Sequence, residues 1–287
     1  MEKNIFFLLK RMAKERVPQK SLGQHFLFNL EILNKILREA QVSSKDYILE
    51  IGPGFGFLTI KLLQKAKKVL VVEIDPTLIE KLKEIFSGLG LKIIQGDILK
   101  ISNQKIFQEL VGGRGEYKIV SNLPFNLASE IILKFLKEEP KPKEMVVMVQ
   151  KEIAKRIVNL NKENLLSLWI KFFAHPQILF YISKAHFWPK PRVDAALIKV
   201  SKILSSRKVK RRGLDFNFFQ KITQGGFQQK RRKLISTLRK NLRISNKDLL
   251  EIFKNLKIHP QIRPENLSFE KWLSLGLELT KIRSRLK

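Results

Sequence analysis

The stretch Glu50-Ile51-Gly52-Pro53-Gly54-Phe55-Gly56-Phe57-Leu58-Thr59 decides how the rest of the chain is read. The apolar run Tyr47-Ile48-Leu49 just before it predicts a buried strand, and Leu58-Thr59-Ile60-Lys61-Leu62-Leu63 has helical spacing. The segment is therefore a strand, a glycine turn and a helix. Glycines at alternate positions let the backbone turn tightly and approach a ligand with no side chain in between. The helix that follows offers unsatisfied N–H groups to whatever is held there. The order Gly52-x-Gly54-x-Gly56 departs from the dinucleotide pattern G-x-G-x-x-G, and taken alone it is a weak signal, since such a turn is often only a tight connection.

Outward from this turn, apolar runs alternate with helical patterns. Strands are predicted at Tyr47–Ile51, Val69–Glu73, Lys92–Gln95, Lys118–Ser121, Val146–Gln150, Ile178–Ile182 and Ala196–Val200. Helical stretches such as Thr77–Phe86 and Ala128–Leu136 lie between the first five. Strands separated by helices need crossovers, and right-handed crossovers give a parallel sheet covered on both faces, so the fold class is doubly wound α/β. Ligands in such folds sit outside the carboxyl ends of the strands. The second, third and fourth strands end in Glu73-Ile74-Asp75, Gly96-Asp97 and Asn122-Leu123-Pro124-Phe125.

Those strand ends carry the chemistry. Glu73 lies 21 residues after Gly52, where a carboxylate can accept both hydroxyls of a ribose. Asp97 can accept from the exocyclic amine of an adenine. Together they describe an adenosyl cofactor, leaving a nicotinamide cofactor and S-adenosylmethionine to be told apart. Asn122-Leu123-Pro124-Phe125 favours the second. An adenine amine is a poor nucleophile because its lone pair is delocalised into the ring. If the Asn122 side-chain oxygen and the Leu123 carbonyl, fixed by Pro124, both accept from it, the nitrogen becomes more pyramidal and aims its lone pair at a methyl. Phe125 would stack on a flipped-out base. The bland reading of these four residues is a strand-terminating turn, which Asn and Pro favour in any case.

At 287 residues the chain is long enough for one large domain and a smaller one. Its 56 Lys+Arg against 26 Asp+Glu leave a net charge of +30. That surplus repels itself unless a polyanion shares the surface, which points to nucleic acid ahead of an anionic membrane. From Lys199 onward there are 24 Lys+Arg and 6 Asp+Glu, so most of the surplus sits in the tail. The apolar periodicity stops around Ser201–Gly213, which places the boundary near residue 205. Residues 1–205 are expected to form the cofactor-binding catalytic domain, with a lead-in helix within 1–40, and 206–287 a small, helical, basic RNA-binding domain. Lys230-Arg231-Arg232-Lys233 would contact phosphates, which position without reading sequence; the plain alternative is a solvated helix face. With no cysteine there are no disulfides or thiolate sites. The four histidines are scattered, so no metal is implied. The apolar run Ile5–Leu9 is too short for a signal or membrane span, so the expected location is cytoplasmic, with no membrane partner.

At the level of whole motifs, the chain resembles the KsgA-type (RsmA/KsgA) ribosomal RNA small-subunit adenine N6-dimethyltransferases nearly end to end. The likeness runs through Lys20–Leu27, Glu50–Gly56, Val72–Asp75, Gly96-Asp97, Asn122–Phe125, Gln150–Ala154 and Phe187–Asp194. In the tail it includes Phe227, Arg231-Arg232-Lys233 and Arg263–Ser268. It implies a Rossmann-like class I S-adenosylmethionine-dependent methyltransferase sheet with a small C-terminal all-helical domain. The implied reaction is dimethylation of N6 on each of two adjacent adenosines in a hairpin loop near the 3′ end of small-subunit RNA, late in assembly. The implied partner is a small-subunit (pre-30S-type) particle, met by a monomer. His25 and Leu27 would line the methionine end of the cofactor, and Gly52 and its neighbour Gly54 would approach by backbone. Asn122 would touch both cofactor and target amine, and Phe187 would be the second wall of the target pocket, or else a packed loop aromatic. The sequence departs from the family's usual pattern at His25, where asparagine is common, at Phe125 for tyrosine, at Asn29 for aspartate and at Ala195 for serine.

Two other readings compete. One is an Erm-type macrolide-resistance enzyme acting on large-subunit RNA, against which the tail match at Arg263-Pro264-Glu265 weighs. The other is a non-catalytic RNA-binding assembly or transcription factor of the same fold, against which Glu73, Asp97 and Asn122 weigh.

Overall fold

The computed structural model describes residues 6–7, 9, 11–12, 24–159, 161–229, 232–242 and 244–285. The chain divides into two compact units: residues 1–155 with 175–203, and residues 156–174 with 204–287. A single cut near residue 205 therefore does not describe the division, because 156–174 groups with the tail. That segment holds the helix Leu165–Phe173, whose side chains are largely buried among those of the second unit.

The first unit is built on a seven-stranded sheet. Its strands in chain order are β2 (Tyr47–Ile51), β3 (Lys68–Glu73), β4 (Lys92–Gln95), β5 (Lys118–Asn122), β6 (Glu144–Gln150), β7 (His175–Ile182) and β9 (Ala195–Ser201). Their spatial order is β4-β3-β2-β5-β6-β9-β7. β2 to β6 run parallel, while β9 is antiparallel to both β6 and β7. The two-residue strands β1 (Phe26–Leu27) and β8 (Phe187–Trp188) pair antiparallel outside this sheet. The parallel part is the predicted doubly wound sheet. The antiparallel edge arises because β9 follows β7 without a crossover helix, only a short 3₁₀ turn and β8.

Val69 to Val72 and Met145 to Val149 are buried without alternation, as strands covered on both faces require. Local chemistry sets the flanking helices. Asn29 caps Leu30–Glu39 by accepting from the Ile32 N–H at 3.0 Å, and Leu33, Ile36 and Leu37 form the buried stripe of that helix. Asp75 caps Pro76–Ile85, with Pro76 in the first turn, where its missing N–H costs nothing. Phe6 and Leu9 are buried in the same core as Phe26 and Phe57.

The strand order reverses between β2 and β5, because the chain runs outward from β2 through β3 and β4 and then returns to the other side. Only Ile48 and Leu49 of β2 find β5 partners, Lys118 and Ile119. Beyond them the strands part, and one side chain spans the gap. Ser121 Oγ donates to the Ile51 carbonyl at 2.6 Å and accepts from the Ile51 N–H at 3.2 Å. The cleft opens above this clamp.

The second unit is helical. Besides Leu165–Phe173 it holds Ser206–Arg211, Phe216–Phe227, Leu234–Leu242, Asn246–Asn255 and Phe269–Arg285. Phe172, Phe216, Phe219, Leu238, Phe253 and Trp272 fill its core. Arg263-Pro264-Glu265 turns out to be a packing device. The Pro264 carbonyl accepts from Trp272 Nε1 at 3.3 Å and the Glu265 carbonyl from the Glu163 N–H at 2.8 Å.

Candidate active site

A cleft at the carboxyl ends of β2, β3, β4 and β5 is lined by His25, Leu27, Gly52, Gly54, Glu73, Asp97, Asn122, Leu123, Pro124 and Phe125. The sequence had singled out each of them. Gln24, Glu50, Ile74 and Ile98 line it too.

The glycine turn is shaped as the alternate glycines predict. Gly52 has φ +63° and its N–H donates to the Val72 carbonyl at 2.9 Å, carrying β2 pairing to the cleft rim. Gly54 has φ +61°, and a Cβ there would stand 2.5 Å from the Phe26 ring. Any side chain at Gly54 would displace Phe26 and with it the β1–β8 pair. The turn's amides are not all open to a ligand, however: the Gly54 N–H donates to Glu73 Oε2 at 3.2 Å.

Glu73 is buried at the end of β3, and Oε1 accepts from the N–H groups of Ile74 and Asp75 at 2.8 and 3.0 Å. Burial pushes its pKa up, and the three backbone donors only partly oppose this. Asp97 takes the Leu99 N–H on Oδ1 at 2.9 Å. Between the two acids the cleft is apolar, from Ile74, 47% exposed, and from buried Ile98. The sequence signal for that surface is an isoleucine directly after a strand-end acid. Asp75 faces away from ligand chemistry: Oδ1 caps its helix through Thr77, and Oδ2 accepts from Gln24 Nε2 at 3.2 Å.

Glu50, read from sequence only as the start of the motif, lies beneath the turn. Burial pushes its carboxyl up to about 8; the Thr59 hydroxyl, donating at 2.6 Å, opposes the rise and the Glu73 charge adds to it. At neutral pH it is mostly protonated, which spares the cleft a second buried charge beside Glu73.

Asn122 ends β5. Its Nδ2 donates to the His25 carbonyl at 2.8 Å, and that bond fixes which way the amide faces. Oδ1 is then sealed from solvent with no hydrogen-bond partner among the described residues. A buried unpaired amide oxygen is uncommon and costly, so it marks a place where a donor belongs. The Leu123 N–H donates to the Met148 carbonyl at 3.2 Å, holding the next peptide to β6, and the Pro124 carbonyl accepts from Leu127 at 3.0 Å to turn the chain into Ala128–Lys137. His25 acts through its backbone here. Its ring donates from Nδ1 to the Pro189 carbonyl at 2.8 Å, since a carbonyl can only accept, and so ties the segment before β1 to the loop after β8.

Phe125 is 7% exposed and Phe187 3%. Their rings meet edge to face, centroids 6.1 Å apart at 64°, and His25 stands against Phe125 at 5.4 Å. A base sandwiched between two parallel rings needs roughly 7 Å, twice a van der Waals spacing. In this structure the Phe187 ring therefore packs edge-on against Phe125, and the two rings do not stand parallel. Its loop is held by Asp194, whose Oδ1 accepts from the Lys184 N–H at 3.1 Å and whose Oδ2 meets Lys151 Nζ at 3.3 Å.

Of the basic run in the second unit, Lys230 and Arg231 lie outside the described residues; Arg232 and Lys233 are exposed just before Leu234–Leu242. Among the described residues, no group of His, Cys, Asp and Glu could hold a metal ion. No helix among them is long and apolar enough to cross a membrane.

Comparison with known proteins gives the family and the fold. A family model described as ribosomal RNA adenine dimethylase matches residues 17–281. A protein named ribosomal RNA small subunit methyltransferase A from Dehalococcoides mccartyi (strain BAV1) is 38% identical over 262 residues, 91% of this chain and 88% of the relative. One of the same name from Caldanaerobacter subterraneus is 37% identical over 262 residues, 90% and 96% of the two chains. The crystal structure of a dimethyladenosine transferase from Plasmodium falciparum superposes with a TM-score of 0.74 at 26% identity, covering 89% of this chain and 98% of that one. That of the 23S rRNA methyltransferase ErmE, with a TM-score of 0.67 at 20% identity and 89% and 99% coverage, shows the shared fold. The sheet is that of the class I S-adenosylmethionine-dependent methyltransferases, and the chain belongs to the ribosomal RNA adenine dimethylase family.

Proposed function

We propose that this enzyme dimethylates N6 of two adjacent adenosines in the 3′-terminal hairpin loop of small-subunit ribosomal RNA, using S-adenosylmethionine. One observation carries the reading beyond family membership: Asn122 Oδ1 is a buried acceptor with no partner among the described residues, on an amide whose other end is tied to His25. An exocyclic amine is the donor it fits.

The cleft suits the cofactor's parts. Glu73 would hold the ribose, Asp97 the adenine amine, Ile74 and Ile98 the adenine faces, and Gly52, Gly54 and the His25–Leu27 segment the amino-acid end. When bound, S-adenosylmethionine supplies an electrophilic methyl group. Asn122 Oδ1 and the Leu123 carbonyl would each accept one N–H of the target amine, which biases the nitrogen toward pyramidal geometry and exposes its lone pair. Phe125 would stack on the extruded base. No side chain has to act as a general base, because the alkylated ammonium is acidic enough to release its proton to water. After one transfer the amine retains one N–H, so a single acceptor suffices for the second. Positioning and fixed dipoles do the work.

The same reading makes the enzyme a cytoplasmic monomer that meets an assembling small-subunit particle, with Lys230, Arg231, Arg232 and Lys233 on phosphates and Phe187 beside the base. The +30 charge supports a polyanionic partner. To test the chemistry, unmodified small subunits are incubated with labelled S-adenosylmethionine and the RNA is digested to nucleosides. Label in N6,N6-dimethyladenosine is expected; label confined to another nucleoside, or none, would overturn the reading.

A further inference from the structure

The carboxyl edge of the sheet continues past the cleft to the edge strand β7, where the surface carries a group that the chemistry above does not use. Tyr181 is 51% exposed, although its neighbour Ile182 is buried in the core on the opposite face of the strand. A lone exposed aromatic needs no explanation. Tyr181, however, has a cation against its ring. Lys151 Nζ lies over its ring, 5.3 Å from the centroid. Lys155 is one turn further along the helix Lys151–Val158, on the same face as Lys151. Lys184 Nζ donates to the Arg192 carbonyl at 3.2 Å, which brings the two arms of the Phe187 loop together. Asp194 joins the two sets through Lys151 Nζ and the Lys184 N–H, and it is the carboxylate these contacts share.

Register relates this patch to the cleft. Asn122 pairs with Met148, Met148 with Leu197, and Leu197 with Phe180. Tyr181 is therefore one residue beyond the row of Asn122, toward the ligand-binding edge. Three strand spacings separate β5 from β7, roughly 14 Å at about 4.8 Å each. Nucleotides flanking an extruded base can span that distance. An aromatic ring interleaved with cations is the surface that unpaired nucleic acid uses, because every base has a face to stack and every step a phosphate to neutralise.

We propose that Tyr181 is a stacking platform for an unpaired nucleotide flanking the target adenosine, with Lys151, Lys155, Lys184 and Arg192 contacting its phosphates. This rests on the RNA methyltransferase reading given above and adds a contact to it. The platform holds the loop strand as it leaves the cleft, so it acts on RNA affinity and not on the cofactor.

The test uses the full chain, unmodified small subunits as substrate, and the variants Tyr181→Ala and Tyr181→Phe. Tyr181→Ala should raise KM for the RNA substrate about fivefold or more, and Tyr181→Phe, which keeps the ring, should stay within about twofold of wild type. Affinity for S-adenosylmethionine, measured by calorimetry, should be unchanged in both, which shows the fold intact. If KM with Tyr181→Ala stays within about twofold of wild type, or if Tyr181→Phe is as impaired as Tyr181→Ala, the platform is overturned. A wild-type chain that labels no RNA would instead remove the underlying reading. As a second, independent readout, Arg192→Glu should make RNA binding less steeply dependent on salt; an unchanged slope would take the phosphate contacts out of the proposal.

Discussion

Replacing Asn122 by alanine removes two things that the structure keeps apart. One is the acceptor Oδ1, which has no partner to lose among the described residues, so its loss should appear in turnover and not in folding. A single oriented hydrogen-bonding group at a reacting centre is worth about 10²–10³ in kcat, or about 2.7–4 kcal/mol. The other is the 2.8 Å bond from Nδ2 to the His25 carbonyl. Leaving that part-buried carbonyl without a donor costs about 1–3 kcal/mol of stability, and each kcal/mol lowers Tm by about 2–4 °C in a chain of this order of size. Asn122→Asp tests whether the bond to His25 also aims the acceptor. It retains an oxygen but sets a carboxylate against the His25 carbonyl, and the repulsion turns the acceptor out of place, so it should be as inactive as alanine. The assay is single-turnover methyl transfer at saturating RNA, with cofactor affinity from calorimetry and Tm measured in parallel. Cofactor affinity should stay within about threefold while kcat falls about 10²–10³. Asn122→Ala turning over at near wild-type rate, or Asn122→Asp well above Asn122→Ala, would refute the reasoning.

Other perturbations test other parts of the site. Ser121→Ala strands the buried N–H and carbonyl of Ile51 together and should cost about 2–4 kcal/mol by chemical denaturation; a change below about 0.5 kcal/mol would mean the clamp is idle. Glu50, raised to about 8, holds a proton in the folded state that the unfolded chain releases in the ordinary carboxylate range. Stability should therefore fall as pH rises from that range toward about 8, and Glu50→Gln should flatten much of the fall, leaving the part due to raised Glu73. Identical pH profiles of Tm in both proteins would contradict this. Phe125→Tyr keeps the stacking face and should retain activity, whereas Phe125→Ala should lose about 1–3 kcal/mol in kcat/KM; similar rates for the two would remove the stacking argument.

Much of this site could be read in the sequence because it is written at strand ends. An uninterrupted apolar run announces a buried parallel strand, and the residue after it falls at the ligand edge by topology alone. In that way Gly52, Glu73, Asp97 and Asn122 were assembled from four distant segments, and all four line one cleft. What stayed hidden depends on pairing across long separations. The two-residue strands Phe26–Leu27 and Phe187–Trp188 are too short to show any period, yet their pairing places the His25 carbonyl under Asn122. Ser121 reads as one more strand residue until the parting of β2 and β5 makes it a bridge. Glu50 looks like an ordinary motif acid, and only burial beside Glu73 makes it a protonated one. The edge-to-face contact of Phe125 with Phe187 depends on loop geometry that spacing does not encode. Likewise, Arg156–Ala174 joins the helical unit through long-range packing, which no shift in composition marks.

The central claim, that an adenosine amine of small-subunit RNA completes the hydrogen bonding of Asn122, is tested most directly by substrate choice. Small and large ribosomal subunits lacking the modification are offered together with labelled S-adenosylmethionine, and each RNA is separated and digested. The account predicts dimethyladenosine in small-subunit RNA, at two adjacent positions, and its loss with Asn122→Ala. Label in the large subunit alone, or binding to RNA with no label in either, would contradict it.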